Sequence, residues 1–463
     1  MVKKLSAPTD LTKGTPWKGI LMFTLPMLIG NIAQQLYSTV DSIIVGKYIG
    51  DNALAAVGSA MPILNMLLVL FIGISAGANI MVSQYYGAKN RDALSYTIGN
   101  SITITIICCI GLILVATPFI RPILIMLNTP QSILNDCTSY LTISLIGIAG
   151  MAFYNILSGI IRGMGDSFSC LIYLLVATVI NIVLDIVFVA YVKMGVAGVA
   201  YATVISQVVS ASLCLIKLSK MNEYFDFGLK YIKPVGTYLK TIIRLGIPSG
   251  LTQAIMSSAM IVVQSLTNCF GELFIAANVI IMRVDGFAMM PNFSFGMSLT
   301  TYSGQNVGAG NYDRVTKGAK QGTLLAVLCS TFITLVILIF GKYLMMLFTD
   351  TKELVNMSYN LMMILAVGYI AMAVTQSLSG IMRGAGDTIT PMWISLITTV
   401  FMRIPLAYGI SYLTRTPLLP YGVKECIQIS LVATWVMGAI ITFLFYKAGR
   451  WKKKAITNSI QEN

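Results

Sequence analysis

Apolar runs of some twenty residues or more follow one another along the whole chain, broken by short polar or charged segments. A helix needs about 20 mostly apolar residues to cross a bilayer, so each run predicts one spanning helix. Twelve are counted, over residues 18–46, 53–83, 96–120, 134–160, 168–192, 196–217, 241–269, 274–303, 320–347, 354–380, 389–413 and 426–447. The pattern predicts an all-α integral membrane protein, with helices rather than a barrel. An even number of spans puts both termini on one side.

The pattern also repeats. SGIIRGMGD (Ser158 to Asp166) returns as SGIMRGAGD (Ser379 to Asp387), and SQYYGAKNRDAL (Ser83 to Leu94) is echoed by GQNVGAGNYDRV (Gly304 to Val315). Both pairs share one offset of 221 residues, and Pro26 meets Pro248 at nearly the same offset. An offset that carries six spans onto six spans keeps their direction. It implies two six-helix lobes related by a pseudo-two-fold axis along the membrane normal, an arrangement found in transporters that hold a substrate between lobes and alternate access. The boundaries read as an N-lobe over 1–217, a cytoplasmic loop over 218–240 and a C-lobe over 241–463.

Composition agrees and narrows the function. The 463 residues are 56% hydrophobic and 10% charged, with mean hydropathy +0.81, outside the range of soluble domains. The net charge of +14 does not point to nucleic acid, because the basic residues lie in short loops and at the ends of apolar runs. Twenty-two of the 31 Lys and Arg fall on the side of the termini, seven on the other, and Arg283 and Arg403 within the membrane, so both termini are expected in the cytoplasm. The basic start is followed by a run containing Pro26, Asn31, Gln34 and Gln35 with no small-residue cleavage site, and reads as a retained first helix. Eight scattered cysteines form no CxxC, which suggests neither a disulfide framework nor zinc.

There is no histidine, so imidazole chemistry is excluded, and no GxxxxGK[ST] cradle for ATP phosphates. An ion gradient is the expected energy source. Of seventeen acidic residues only Asp41, Asp185 and Asp285 lie well inside spans, where ionisable side chains are costly and functional by default. Asp41 and Asp185 sit at similar depths near the outer ends of spans 1 and 5. Asn181 is one helical turn from Asp185, and Thr203 in span 6 reaches the same level.

Two carboxylates, an amide oxygen and a hydroxyl suit a hard cation such as sodium. The same carboxylates suit a shared proton. The plain alternative is two unrelated polar residues hydrogen-bonded within the bundle. At the repeat offset Asp41 falls near Val262 and Val263 and Asp185 on Leu406, so the cation chemistry belongs to the N-lobe. In the C-lobe, Arg283, Asp285 and Arg403 read as buried charges forming a structural ion pair, with substrate coupling the second reading. The SGIxRGxGD copies read as tight cytoplasmic turns whose Arg and Asp bond the loop backbone.

These two loops, GQNVGAGNYDR after span 8 and MRVDGFAMMP within it resemble the multidrug and toxic compound extrusion (MATE) family over nearly the whole chain. The N-lobe set resembles the DinF-type bacterial and archaeal branch, in which positions matching Asp41, Asn181, Asp185 and Thr203 surround the coupling cation. The resemblance further implies substrate-binding roles for Gln34, Tyr140 and Asn155 and a bend in span 1 at Pro26. Acidic residues that another branch carries on spans 7 and 10 are missing here.

The resemblance implies an antiporter of the bacterial or archaeal cytoplasmic membrane. It would be monomeric and without cofactor, exporting cationic or amphipathic organic compounds against inward sodium or protons. The rival is a lipid-linked oligosaccharide flippase of the same superfamily architecture, whose anionic substrate calls for a basic cavity. A membrane enzyme would need a nucleophile, base or metal cluster in the spans, and the sequence offers none.

Overall fold

The computed structural model describes residues 8–127 and 129–456. Lys3, Lys4 and the polar tail over 457–463 lie outside the described residues.

The spanning helices are α1 (Pro16–Tyr48), α2 (Asp51–Gly87), α3 (Arg91–Ala116), α4 (Gln131–Ile146 with Ile148–Gly163), α5 (Ser167–Asp185), α6 (Val196–Ser219), α7 (Gly236–Asn268), α8 (Glu272–Gly308), α9 (Tyr312–Met346), α10 (Lys352–Gly384), α11 (Ile389–Leu396 continuing through Arg403–Leu413) and α12 (Cys426–Lys447). Among the described residues eleven helices are each long and apolar enough to cross a membrane, and the two pieces of α4, bent by 47°, make a twelfth if they are counted as one span. The break falls at Gly147, where an added β-carbon would stand 2.3 Å from the Val204 side chain of α6. Only a glycine lets α4 and α6 approach so closely.

The two repeated turns are built alike. Gly165 and Gly386 have φ of 95° and 97°, a left-handed conformation that side chains avoid. Asp166 accepts hydrogen bonds from Ser169 N at 2.9 Å and Ser169 Oγ at 2.6 Å. Asp387 does the same for Thr390 N at 3.2 Å and Thr390 Oγ1 at 2.8 Å. The aspartates thus satisfy the first amides of α5 and α11, as expected. Arg162 departs from the expectation: its Nε is buried with no hydrogen-bond partner among the described residues. Asp166 also holds an ion pair, with Lys217 Nζ at 3.0 Å. Asp387→Ala should cost about 1 kcal/mol, the usual loss for a cap, and Asp166→Ala clearly more, because it also removes the largely buried ion pair with Lys217. Thermal unfolding midpoints of the two variants check this ranking, and equal losses would contradict it.

The chain divides into two compact units, one of Met1–Asp10 with Leu25–Gly250 and one of Leu11–Thr24 with Leu251–Asn463. These boundaries differ from 1–217 and 241–463: the leading turns of α1 belong to the second unit and those of α7 to the first. The reason is local bonding. In the second unit, Leu11 N donates to Gln305 Oε1 at 2.9 Å, and Arg314 donates to the carbonyls of Leu11 and Gly14 at 3.2 and 2.8 Å.

In the first unit, Arg91 grips the connector before α7 through Asn222 O at 2.6 Å and Asp226 Oδ1 at 2.6 Å. Arg91 also holds the exposed Asp226 carboxyl below its usual range, chiefly through that hydrogen bond. The connector is therefore tied to α3 rather than free: Asn100 Oδ1 accepts from Val235 N at 2.7 Å. Next along the chain, Gly246 and Gly250 of α7 cross Gly73 and Gly77 of α2. A β-carbon at Gly77 would lie 2.5 Å from Ile242 O, and one at Gly246 2.7 Å from Gly73 O. Each changeover falls near a proline, Pro26 in α1 and Pro248 in α7. Proline supplies no amide to the helix ladder and loosens the turn before it.

Candidate functional site

Four helices of the first unit bring the predicted N-lobe residues together. Asp185 ends the α-helical part of α5, and a π-helical stretch, Ile186–Tyr191, follows it directly. Such stretches widen a helix by one residue per turn and recur at functional sites. Asn181 lies one turn earlier on the same face. Asp41 comes from α1 and Thr203 from α6; all four are buried, at 4%, 1%, 0% and 7% exposure for Asp41, Asn181, Asp185 and Thr203.

Asp41 and Asp185 stand close enough for one hydrogen bond between their carboxyl groups. Two carboxylates have no proton to donate, and accordingly Asp41 Oδ1 and both Asp185 oxygens find no partner among the described residues. Asn181 turns its amide nitrogen toward Thr203 Oγ1 at 3.5 Å, which leaves Asn181 Oδ1 without a partner as well. Four buried oxygens thus lack a donor in one place. Leaving charge uncompensated inside a protein costs several kcal/mol, so this constellation calls for a positive charge between the carboxylates, either a proton or a small oxygen-seeking cation.

Tyr37, one turn before Asp41 on α1, also enters the site, its hydroxyl 3.3 Å from Thr203 Oγ1. Sequence reasoning missed it, although its i, i+4 spacing to Asp41 was legible. Tyr140 from α4 is buried at 2% exposure and lies within electrostatic reach of Asp41, Tyr37 and Asp185. Gln34 shares the Asp41 face of α1 two turns away but is exposed. Asn155 is not joined to this set: its amide donates to Met151 O at 2.8 Å within its own helix, and its carbonyl accepts from Ser75 Oγ at 2.6 Å.

The second unit corrects one expectation. Asp285, Arg283 and Arg403 do not form an ion pair. Asp285 accepts instead from the hydroxyl of Tyr369 at 2.9 Å. Arg283 is exposed rather than buried, because it lies across α8 from Ile281, Val284 and Ala288, which face the core. Among the described residues no three His, Cys, Asp or Glu side chains gather as a metal-binding group.

A family model described as MatE matches residues 26–187 and then matches again over 248–409. The chain belongs to the MATE family. The double match places one copy of the family unit in each half of the chain, in keeping with the repeated turns. Similar curated proteins match it over nearly its whole length. "Probable multidrug resistance protein YoeA" of Bacillus subtilis is 28% identical over 97% of this chain and 97% of its own. "Probable multidrug resistance protein NorM" of Thermotoga maritima is 26% identical over 95% and 94%. Among solved structures, an outward-facing multidrug resistance MATE transporter of the MOP superfamily superposes with a TM-score of 0.88 at 25% identity, covering 95% of this chain and 97% of that one. A MATE in a bent conformation gives 0.88 at 25%, over 96% and 98%. This MATE chain is thus a multi-pass membrane protein with the family's helical fold.

Proposed function

We propose that the chain is a cation-coupled antiporter of a cytoplasmic membrane, with both termini inside, exporting cationic or amphipathic organic compounds. One observation carries the reading: the four donorless oxygens of Asp41, Asn181 and Asp185, buried in a chain whose relatives are named as multidrug resistance proteins. A cation entering from outside compensates the two carboxylates, with Thr203 Oγ1 completing the oxygen set. Sodium and a proton both satisfy the charge, and both are carried rather than kept. Occupancy and release alternate two charge states of the first unit. A ligand shifts a conformational equilibrium only through such a difference. The turn before Pro26 in α1, where the chain passes from one unit to the other, is where a change at Asp41 bends the helix.

Purified protein in liposomes loaded with a fluorescent organic cation tests this, under a sodium gradient and a pH gradient imposed separately. Export driven by either gradient names the ion. Export indifferent to both would end the antiport reading.

A further inference from the structure

The second unit holds an arginine, Arg403, that makes no direct ion pair among the described residues. Arg403 follows a π-helical stretch, Ile397–Met402, in α11. It shares a helix face with Ala407 and Ser411, exposed only 0% and 1%, whereas Phe401 on the opposite side is exposed. The arginine therefore faces the interior of its unit. Its Nε is buried with no partner, and its guanidinium makes no hydrogen bond or ion pair among the described residues. Asp285 lies within electrostatic reach but beyond ion-pair distance, and its Oδ1 is engaged by Tyr369.

A guanidinium stays charged, and its planar fork suits a carboxylate held by two parallel bonds. Arg403 is only partly buried, but its Nε is fully covered, and covering part of a charged group without a partner is costly. From this geometry we infer that Arg403 is an anion receptor, taking one monovalent anionic group. The group is supplied as the carboxylate of the carried compound or as chloride from solution. The inference rests on the transport reading and gives the second unit a charge preference opposite to that of the first.

The probes are the free acid and the methyl ester of one rhodamine dye, two compounds that differ by a single carboxylate. They are exported from liposomes by wild type, Arg403→Gln and Arg403→Lys at several chloride concentrations, with gluconate as replacement. Arg403→Gln should lose free-acid export by about tenfold or more, the worth of a charge-assisted hydrogen bond, while keeping the ester within about twofold; Arg403→Lys, which keeps the charge without the fork, should keep the ester and fall between wild type and Arg403→Gln for the acid. In wild type, chloride that raises KM for the acid alone identifies the compound's own carboxylate as occupant. Chloride that speeds export of the ester identifies the solution anion.

Equal loss of both dyes in Arg403→Gln, with no chloride effect in wild type, overturns the proposal. If that variant does not accumulate, chloride indifference of wild type toward both dyes overturns it alone. A wild type that exports the ester, refuses the acid and ignores chloride also overturns it while leaving antiport intact. Export of neither dye removes the transport reading, and this inference with it.

Discussion

Asp41→Asn is expected to end export driven by a pH gradient and to weaken export driven by a sodium gradient about tenfold or more in the sodium needed for half-maximal rate. The two outcomes differ for a physical reason. An amide cannot give up a proton to the other side, so a proton-coupled cycle stops. It still offers one carbonyl oxygen to sodium, although a neutral ligand replaces a charged one, a change worth roughly 1.5–3 kcal/mol at a charged hydrogen-bonding site.

Asp185→Asn should behave the same way, because the two carboxyl groups stand within hydrogen-bonding reach and act as a pair. Thr203→Val should be milder, since it removes one neutral hydroxyl. Dye efflux from liposomes carrying equal amounts of each protein gives the comparison. Both Asn variants driving export at the wild-type rate would refute the cation site.

Gly77→Leu is expected to cost the first unit its stability, by about 3 kcal/mol or more given that overpacking alone costs 1–3. Here the clash is with backbone: a β-carbon would stand 2.5 Å from Ile242 O and 3.0 Å from Gly246 N. No side chain can swing away, so α2 and α7 must separate. Pairs of small residues spaced four apart allow such crossings in membranes, where packing rather than the hydrophobic effect holds helices together. Gly58→Ala, in the same helix with open space around it, is the control. It should gain about 0.5–1 kcal/mol from helix propensity. Thermal unfolding in detergent separates the two, and a Gly77→Leu protein as stable as Gly58→Ala would refute the crossing as a stability determinant.

Much of this was legible along the chain because bilayer chemistry acts on one residue at a time. A run of apolar residues must become a helix whose own backbone satisfies its polar groups. The repeated SGIxRGxGD turns could be read because glycine with positive φ and a capping aspartate are local requirements; Gly165 and Gly386, and Asp166 and Asp387, meet them in the same way. The scarcity of acid inside spans singled out Asp41, Asp185 and Asp285 for the same reason. Arg283 was misread because intramembrane depth follows from sequence position, whereas burial depends on which face a neighbouring helix covers.

The sequence by itself determined the helical membrane fold, the duplication and the short set of costly polar residues, since each follows from transfer of single residues or short segments from water to lipid. Only the tertiary structure decided which of those residues meet. It brought Tyr37 into the Asp41 and Asp185 site, gave Asp285 to Tyr369 and left Arg403 Nε without a partner among the described residues. It also assigned the leading turns of α1 and α7 to opposite units. These outcomes depend on helix rotation and close approach, set by glycines such as Gly73 and Gly246 and by the π-helical stretches in α5 and α11. A shift of one residue in a helix turns a side chain by about 100°, and sequence depth does not record that rotation.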